Sequence, residues 1–267
     1  MYNLQPDPNP IEPVILGAFV RCHSRARTLD IVLSELLRYG YLPGLTVKIS
    51  VVADRPSYRV SSVLDRYRPN LWSLHYSDYP LVGAAERFME ALEAQRAHLA
   101  TTRCDWYGLF DDDRWLEPLR ATSELPLALA SKDVDMWYAR TVFLEDRPDT
   151  YCASRAHHSP LLWKALPGDQ FPSNRIIQAT ETRHDASIIS GRVGTLDTPL
   201  LDYGTYHEHE RRALFERYAA AGKDDPYTRS YIEGRVLKKF PEDAIAAGLM
   251  EAGPWRDLYT EAVQKHA

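Results

Sequence analysis

Three consecutive carboxylates, Asp111-Asp112-Asp113, follow directly on an aromatic and apolar run, Trp106-Tyr107-Gly108-Leu109-Phe110. That run has the length and side chains of a buried β-strand, so the acids emerge at its end. Adjacent like charges repel, and desolvation raises the cost. A hard divalent cation relieves both problems, because carboxylate oxygens suit Mg2+ or Mn2+. The competing reading is a solvated acidic turn. A position behind a buried strand favours the metal.

The preceding elements must bring partners to this point. Val14 to Val20 is a compact apolar run, read as a first strand, and Arg21-Cys22-His23-Ser24-Arg25-Ala26-Arg27 is a polar loop. Thr28 is expected to cap a helix striped by Leu29, Val32, Leu33, Leu36 and Leu37, ended by Gly40 and Pro43-Gly44. Leu45 to Ala53 reads as a second strand ending in Asp54, Ser61 to Tyr67 as a short helix, and Leu71 to Tyr76 as a third strand. Gly83 to Ala100 carries Ala85, Phe88, Met89, Leu92 and Leu99 on one helical side, and the carboxylate-bearing strand follows as the fourth.

Such alternation predicts a mostly parallel sheet covered on both faces. Ligands bind at the carboxyl ends of strands in these sheets. The 21–27 loop, Asp54 and the three acids would therefore share one rim, which a solvated turn does not predict. Later the rhythm changes. Val134 to Leu144 predicts a long strand paired antiparallel, residues 150–200 read as mixed and loop-rich, and Glu208 to Ala221 reads as a charged helix. Glu242 to Met250 and Trp255 to Gln264 also read as helices.

The chain has 267 residues and a formal net charge of −5, which argues against a protein that coats polyanions along its whole surface. Residues 1–150 carry 17 Lys/Arg against 21 Asp/Glu, and residues 151–240 carry 13 against 11. The second stretch is thus the better side for an anionic acceptor. Cys22, Cys104 and Cys152 are odd in number and widely spaced, fitting reduced thiols rather than a zinc site. No apolar run approaches the ~18–20 residues of a membrane span, and Met1 to Pro13 is polar and proline-rich rather than signal-like. The expectation is a cytoplasmic protein of a bacterial or virus-infected cell. It reads as one domain over residues 1–267, with 1–12 as a flexible lead-in.

Taken together, VILGAFV with its Arg/His/Ser loop, ISVVAD, GAAERFMEALEA, GLFDDDRWLEP and PLLDYGTYHEHERRALFERY resemble a nucleotide-sugar-dependent glycosyltransferase of the GT-A fold, close to the family-2 type. The resemblance spans residues 14–220. It implies an α/β, Rossmann-like architecture: a mostly parallel central sheet flanked by helices, a small antiparallel portion and C-terminal helices. Residues 14–120 would form the nucleotide-sugar-binding half and 121–267 the acceptor side.

The resemblance also implies roles for individual residues. Asp111 and Asp113 fit an Asp-x-Asp motif that holds Mn2+ or Mg2+ against the donor diphosphate, where a cation stabilises the departing charge. Asp113 is the first choice for direct contact, and Asp111 would touch the metal or the ribose. Asp112 would be a structural acid. Asp202, in Pro199-Leu200-Leu201-Asp202-Tyr203-Gly204, stands where relatives often carry a ligating His, with His207 as the alternative. Asp54 matches an acid that accepts from the nucleobase imide, although a turn role ahead of Pro56 competes. Arg87 matches a donor-contacting position, as does Arg21 among Arg21, His23, Arg25 and Arg27. For the base that deprotonates the acceptor, Asp169 lies nearest the expected place, in competition with His157, His158, Glu181, His184 and Asp185.

The expected donor is a UDP-sugar. The acceptor expected is a hydroxymethylated pyrimidine in DNA, otherwise a glycan of surface polysaccharide or lipopolysaccharide assembly. Two other classes compete: an Asp-cluster phosphohydrolase, and a nucleic-acid-binding module built on Arg175, Arg183, Arg192, Arg211, Arg212, Arg217, Arg229, Lys238 and Lys239. Against the first, the acids sit mid-chain and precede Arg114-Trp115; against the second, acids interleave the basic residues.

Overall fold

A computed structural model describes residues 13–77, 104–146, 150–165, 192–204, 206–220, 222 and 229–239. The predicted helices at Gly83–Ala100, Glu242–Met250 and Trp255–Gln264 lie outside these residues.

Four strands form the parallel half of the main sheet: β1 (Val14–Cys22), β2 (Leu45–Asp54), β3 (Ser73–Ser77) and β4 (Trp106–Asp111). Their spatial order is β3-β2-β1-β4, each pair parallel. Their near-continuous apolar runs suit strands covered on both faces. Between them, α1 (Ala26–Tyr39) packs on β2 and beside α2 (Tyr58–Tyr67). The α1 stripe of Leu29, Val32, Leu33 and Leu36 is fully buried, each leucine contributing about 1.5–3 kcal/mol of transfer free energy. Thr28 does not cap this helix. It lies inside the first turn, its hydroxyl directed at the Arg25 carbonyl, and the N-cap is Arg25 without a side-chain cap bond. Helix α2 does carry one, from Ser57 to the Val60 amide.

After β4 the chain turns into β5 (Arg114–Leu116) and then α3 (Pro118–Ala130), which continues through an internal Pro126. Hydrogen bonds from Trp106 Nε1 to the Leu129 carbonyl (2.8 Å) and from Trp137 Nε1 to the Ala128 carbonyl (3.1 Å) tie α3 to the sheet. The remaining elements are β6 (Met136–Phe143), β7 (Thr150–Cys152), β8 (His157–Lys164), β9 (Val193–Thr195), β10 (Leu200–Asp202), α4 (Glu208–Ala220) and β11 (Leu237–Lys239). The sheet continues from β4 through β8, β6 and β10 to β5, with β9 also pairing β6. Strand β8 is antiparallel to both β4 and β6, while β10 and β9 run parallel to β6. The long strand expected near residues 134–144 is thus β6, antiparallel to β8 as predicted and parallel to its other neighbours. Sequence reading missed β5, α3 and the strands after β6.

A second, two-stranded sheet pairs β11 with β7. It fastens residues 229–239 through a buried ionic cluster. Arg155 is fully buried between the rings of Phe143 and Tyr231, its guanidinium 4.1 Å from each centroid. It donates to Glu145 (2.8 Å), also fully buried, and Arg235 donates to the same carboxylate (2.7 Å) and to Asp146 (2.8 Å). Arg211 of α4 donates to Asp146 as well. Buried charges persist only when paired and hydrogen-bonded in this way.

All three cysteines are free and buried. Among the described residues, no helix is long and apolar enough to cross a membrane.

Candidate active site

In the sheet order, β1 has β2 on one side and β4 on the other, so the chain reverses its direction of growth there. Such a switch point opens a crevice beyond the carboxyl ends of the two strands. Arg21 of β1 and Asp111 of β4 are register partners at that edge. The Arg21 Nε donates to Asp111 Oδ1 at 2.7 Å.

A tight turn carries the chain from Asp111 into β5 and places Arg114 beneath the acids. Its guanidinium reaches Asp202 Oδ2 (2.6 Å), Asp111 Oδ2 (3.1 Å) and Asp113 Oδ1 (4.0 Å). Burial alone would lower the Arg114 pKa, but Asp202 and Asp111 more than reverse that, holding it above the ordinary arginine value. Asp202 comes from β10, whose pairing with β5 makes Asp202 and Arg114 opposite residues.

Arg25, the N-cap residue of α1, pairs with Asp113 through its side chain and donates to the Gly204 carbonyl at 2.6 Å. The Gly204 amide donates to Asp202 Oδ1 (2.8 Å), and the Tyr203 amide to the Asp113 carbonyl (2.9 Å). A Cβ at Gly204 would lie 2.5 Å from Asp113 Oδ2, 2.9 Å from Arg25 Nη1 and 3.1 Å from Asp202 Oδ1. Only glycine lets the backbone pass so close to both acids.

Asp112 points inward. It is buried, accepts the His23 amide at 3.1 Å, and its carboxyl is pushed up by burial against the lowering charge of Arg25. The neighbouring Cys22 thiol is likewise pushed well up by burial, then by Asp112 and Asp54. At the end of β2, the His23 Nδ1 donates to the Asp54 carbonyl at 2.8 Å. The next residue, Arg55, adopts a left-handed φ of 38° as the chain leaves the strand.

Of the residues picked out by sequence, Arg21, Asp54, Asp111, Asp113 and Asp202 meet on one rim. Arg87 and Asp169 lie outside the described residues, as do Glu181, His184 and Asp185. His207 stands exposed at the start of α4, its ring edge-on to Tyr206 and stacked beside His209. His157 opens β8 and its Nδ1 donates to the Arg155 carbonyl at 3.0 Å. Sequence reading missed Arg114 and Gly204, and it ranked Arg25 below Arg21. The signal for Arg114 was its place directly behind the acids.

Among the described residues, no three His, Cys, Asp or Glu side chains are grouped to hold a metal ion. Asp113 Oδ2 and Asp202 Oδ1 both lie beside Gly204, the first paired with the Arg25 guanidinium and the second taking the Gly204 amide, while Asp111 turns to Arg21 and Arg114. A pair of hard carboxylate oxygens fits Mg2+ or Mn2+ chemistry. Chemically, the rim interleaves three guanidinium groups with three carboxylates, each paired with another of the set.

No protein-family model matches the chain, and no curated protein matches it in sequence. Solved structures do resemble it in shape. Residues 1–349 of S. aureus TarS align at a TM-score of 0.50 and 11% identity, covering 88% of this chain and 70% of that one. The same TarS portion in complex with UDP-GlcNAc aligns at 0.46 and 12%, covering 88% and 71%. A mannosyltransferase from Pyrobaculum calidifontis, in complex with GDP-Man and Mn2+, aligns at 0.47 and 17%, covering 97% and 76%. The first likeness bears on the fold, which is of the GT-A type: a large mostly parallel sheet flanked by helices, plus a small antiparallel sheet.

Proposed function

We propose that this chain is a glycosyltransferase that moves a sugar from a nucleoside-diphosphate donor, a UDP-sugar, to an acceptor hydroxyl. The observation that carries this reading is the meeting of Arg21, Arg25 and Arg114 with Asp111, Asp113 and Asp202 at the switch point of the sheet. Guanidinium groups bind phosphate oxygens bidentately, and their planar geometry fixes the diphosphate for departure. Asp113 and Asp202 would hold Mn2+ or Mg2+ beside Gly204, with Asp111 contacting the metal or the donor ribose. The ion, when bound, supplies positive charge to the leaving diphosphate. Arg87 is assigned to donor contact. Asp169 is assigned to accept the proton of the acceptor hydroxyl.

The acceptor assigned is a hydroxymethylated pyrimidine in DNA, supported by the slight basic excess of residues 151–240. Such a base must leave the stack to reach the sugar, and phosphate contacts would make binding salt-sensitive. The test is incubation of the full chain with a panel of nucleotide sugars and Mn2+, with hydroxymethylated duplex DNA, plain DNA and a soluble glycan as acceptors. Mass analysis of digested nucleosides should show one added sugar on the hydroxymethylated base alone. Transfer to the glycan only would move the assignment to polysaccharide assembly. Absence of transfer and of donor turnover with every sugar would sink the glycosyltransferase reading.

A further inference from the structure

We propose that His23 reads the donor nucleobase, its Nε2 accepting the ring N–H of uracil, thymine or guanine and so rejecting cytosine and adenine. The inference rests on the nucleoside-diphosphate reading above and adds to it the residue that selects the base.

The tautomer follows from geometry. His23 Nδ1 lies 2.8 Å from the backbone carbonyl of Asp54, which can only accept, so Nδ1 carries the hydrogen. An imidazole in that tautomer presents Nε2 as a lone pair. The residue is held on both sides, since its own amide donates to Asp112 at 3.1 Å. The Asp54 carboxylate also lies 3.6 Å from Nδ1. Two groups on this part of the rim could accept a base N–H, and exposure separates them. The His23 side chain is 53% exposed, whereas that of Asp54 is 2% exposed. The imidazole is therefore the more accessible acceptor of the two.

Placement agrees. In sequence, His23 sits between Arg21 and Arg25, two of the three guanidinium groups assigned to the diphosphate. On one side of them stand Arg114 and Asp202, towards β5 and β10. The sugar must face that way to meet an acceptor held by the second half of the chain. The nucleoside is left with the β2 side, where His23 rests on Asp54. Uracil N3 and guanine N1 carry a hydrogen at the pairing edge; cytosine N3 and adenine N1 carry a lone pair. Against Nε2 the first two gain a hydrogen bond, and the second two set lone pair against lone pair.

The test is calorimetric titration of the full chain with UDP, GDP, CDP and ADP, each with Mn2+ present. UDP and GDP should bind at least about tenfold more tightly than CDP and ADP, the scale of one hydrogen bond. His23→Phe should bring all four within about twofold by weakening UDP and GDP alone. His23→Gln, whose side-chain carbonyl reaches the Nε2 position, should restore part of the preference. Equal binding of the four to the unmodified chain, or a preference that survives His23→Phe, would overturn the inference and leave the donor reading standing. Loss of the preference in Asp54→Asn, with His23→Phe unaffected, would assign the reading to the carboxylate. Failure of all four nucleotides to bind would remove both.

Discussion

Arg114 Nε lies 2.6 Å from Asp202 Oδ2, joining by side chains two residues that already face each other across the β5–β10 pair. Asp202 is buried, and its other oxygen takes the Gly204 amide. Arg114→Met would leave that acid without its nearest counter-charge. We expect a loss of about 2–3 kcal/mol in urea unfolding, with part of it returned in the Arg114→Met/Asp202→Asn double variant. An unaltered midpoint for the single variant would deny the pair any structural weight.

Gly204→Ala tests the crowding between the acids. The added methyl would approach Asp113 Oδ2 to 2.5 Å, so the carboxylates and Arg25 must move apart. Thermal unfolding should shift little, because the strain is local to the rim, while nucleotide and Mn2+ binding fall by at least tenfold, about 1.4 kcal/mol. Normal binding in this variant would show that the close approach has no part in the site.

Asp113→Ala should abolish sugar transfer in a chain whose circular dichroism and melting are preserved. EDTA should stop the unmodified enzyme, and Mn2+ or Mg2+ should restore it. Asp202→Ala should weaken the metal titration. Full turnover in Asp113→Ala, or indifference to chelation, would take the metal away from these acids.

The cluster around Asp146 makes a pH prediction. Burial alone would raise that carboxyl, but hydrogen bonds from Arg235 and Arg211 outweigh it and hold the pKa below the usual carboxylate range. A carboxylate depressed in the folded state stabilises above its unfolded value, about pH 4, and loses that contribution as pH falls through the folded value. Melting temperature should therefore drop on acidification below about pH 4, and Arg235→Met should flatten the drop. An equally steep acid limb in the variant would assign it to other groups.

The parallel half of the fold was legible because each strand carries one signal. VILGAFV, ISVVAD and WYGLF are apolar runs ending in polar residues, and buried parallel strands need no more. Strand β8, HHSPLLWK, escaped notice because Pro160 reads as a breaker. The sheet tolerates it beside the point where β6 and β8 slip register at Trp137/Tyr138, an irregularity of the kind that accommodates a residue without an N–H. Helix α3 hid behind Pro126 in the same way. The acids of the site were visible as a cluster, and Arg21 and Arg25 as candidates in the loop after β1; that Arg25 meets Asp113 and Arg21 meets Asp111 was not, because those pairs join segments far apart in sequence. The Asp202–Arg114 pair depends on strands separated by 88 residues, beyond the reach of local pattern.

The Phe143–Arg155–Tyr231 sandwich decides how the end of the described chain behaves. Peeling residues 229–239 from the body would strip Arg155 of one ring and Glu145 of Arg235 in a single step. That stretch is accordingly a keystone and not a tail: a protease able to cut near Arg229 should inactivate and melt the molecule together, leaving no trimmed, working core.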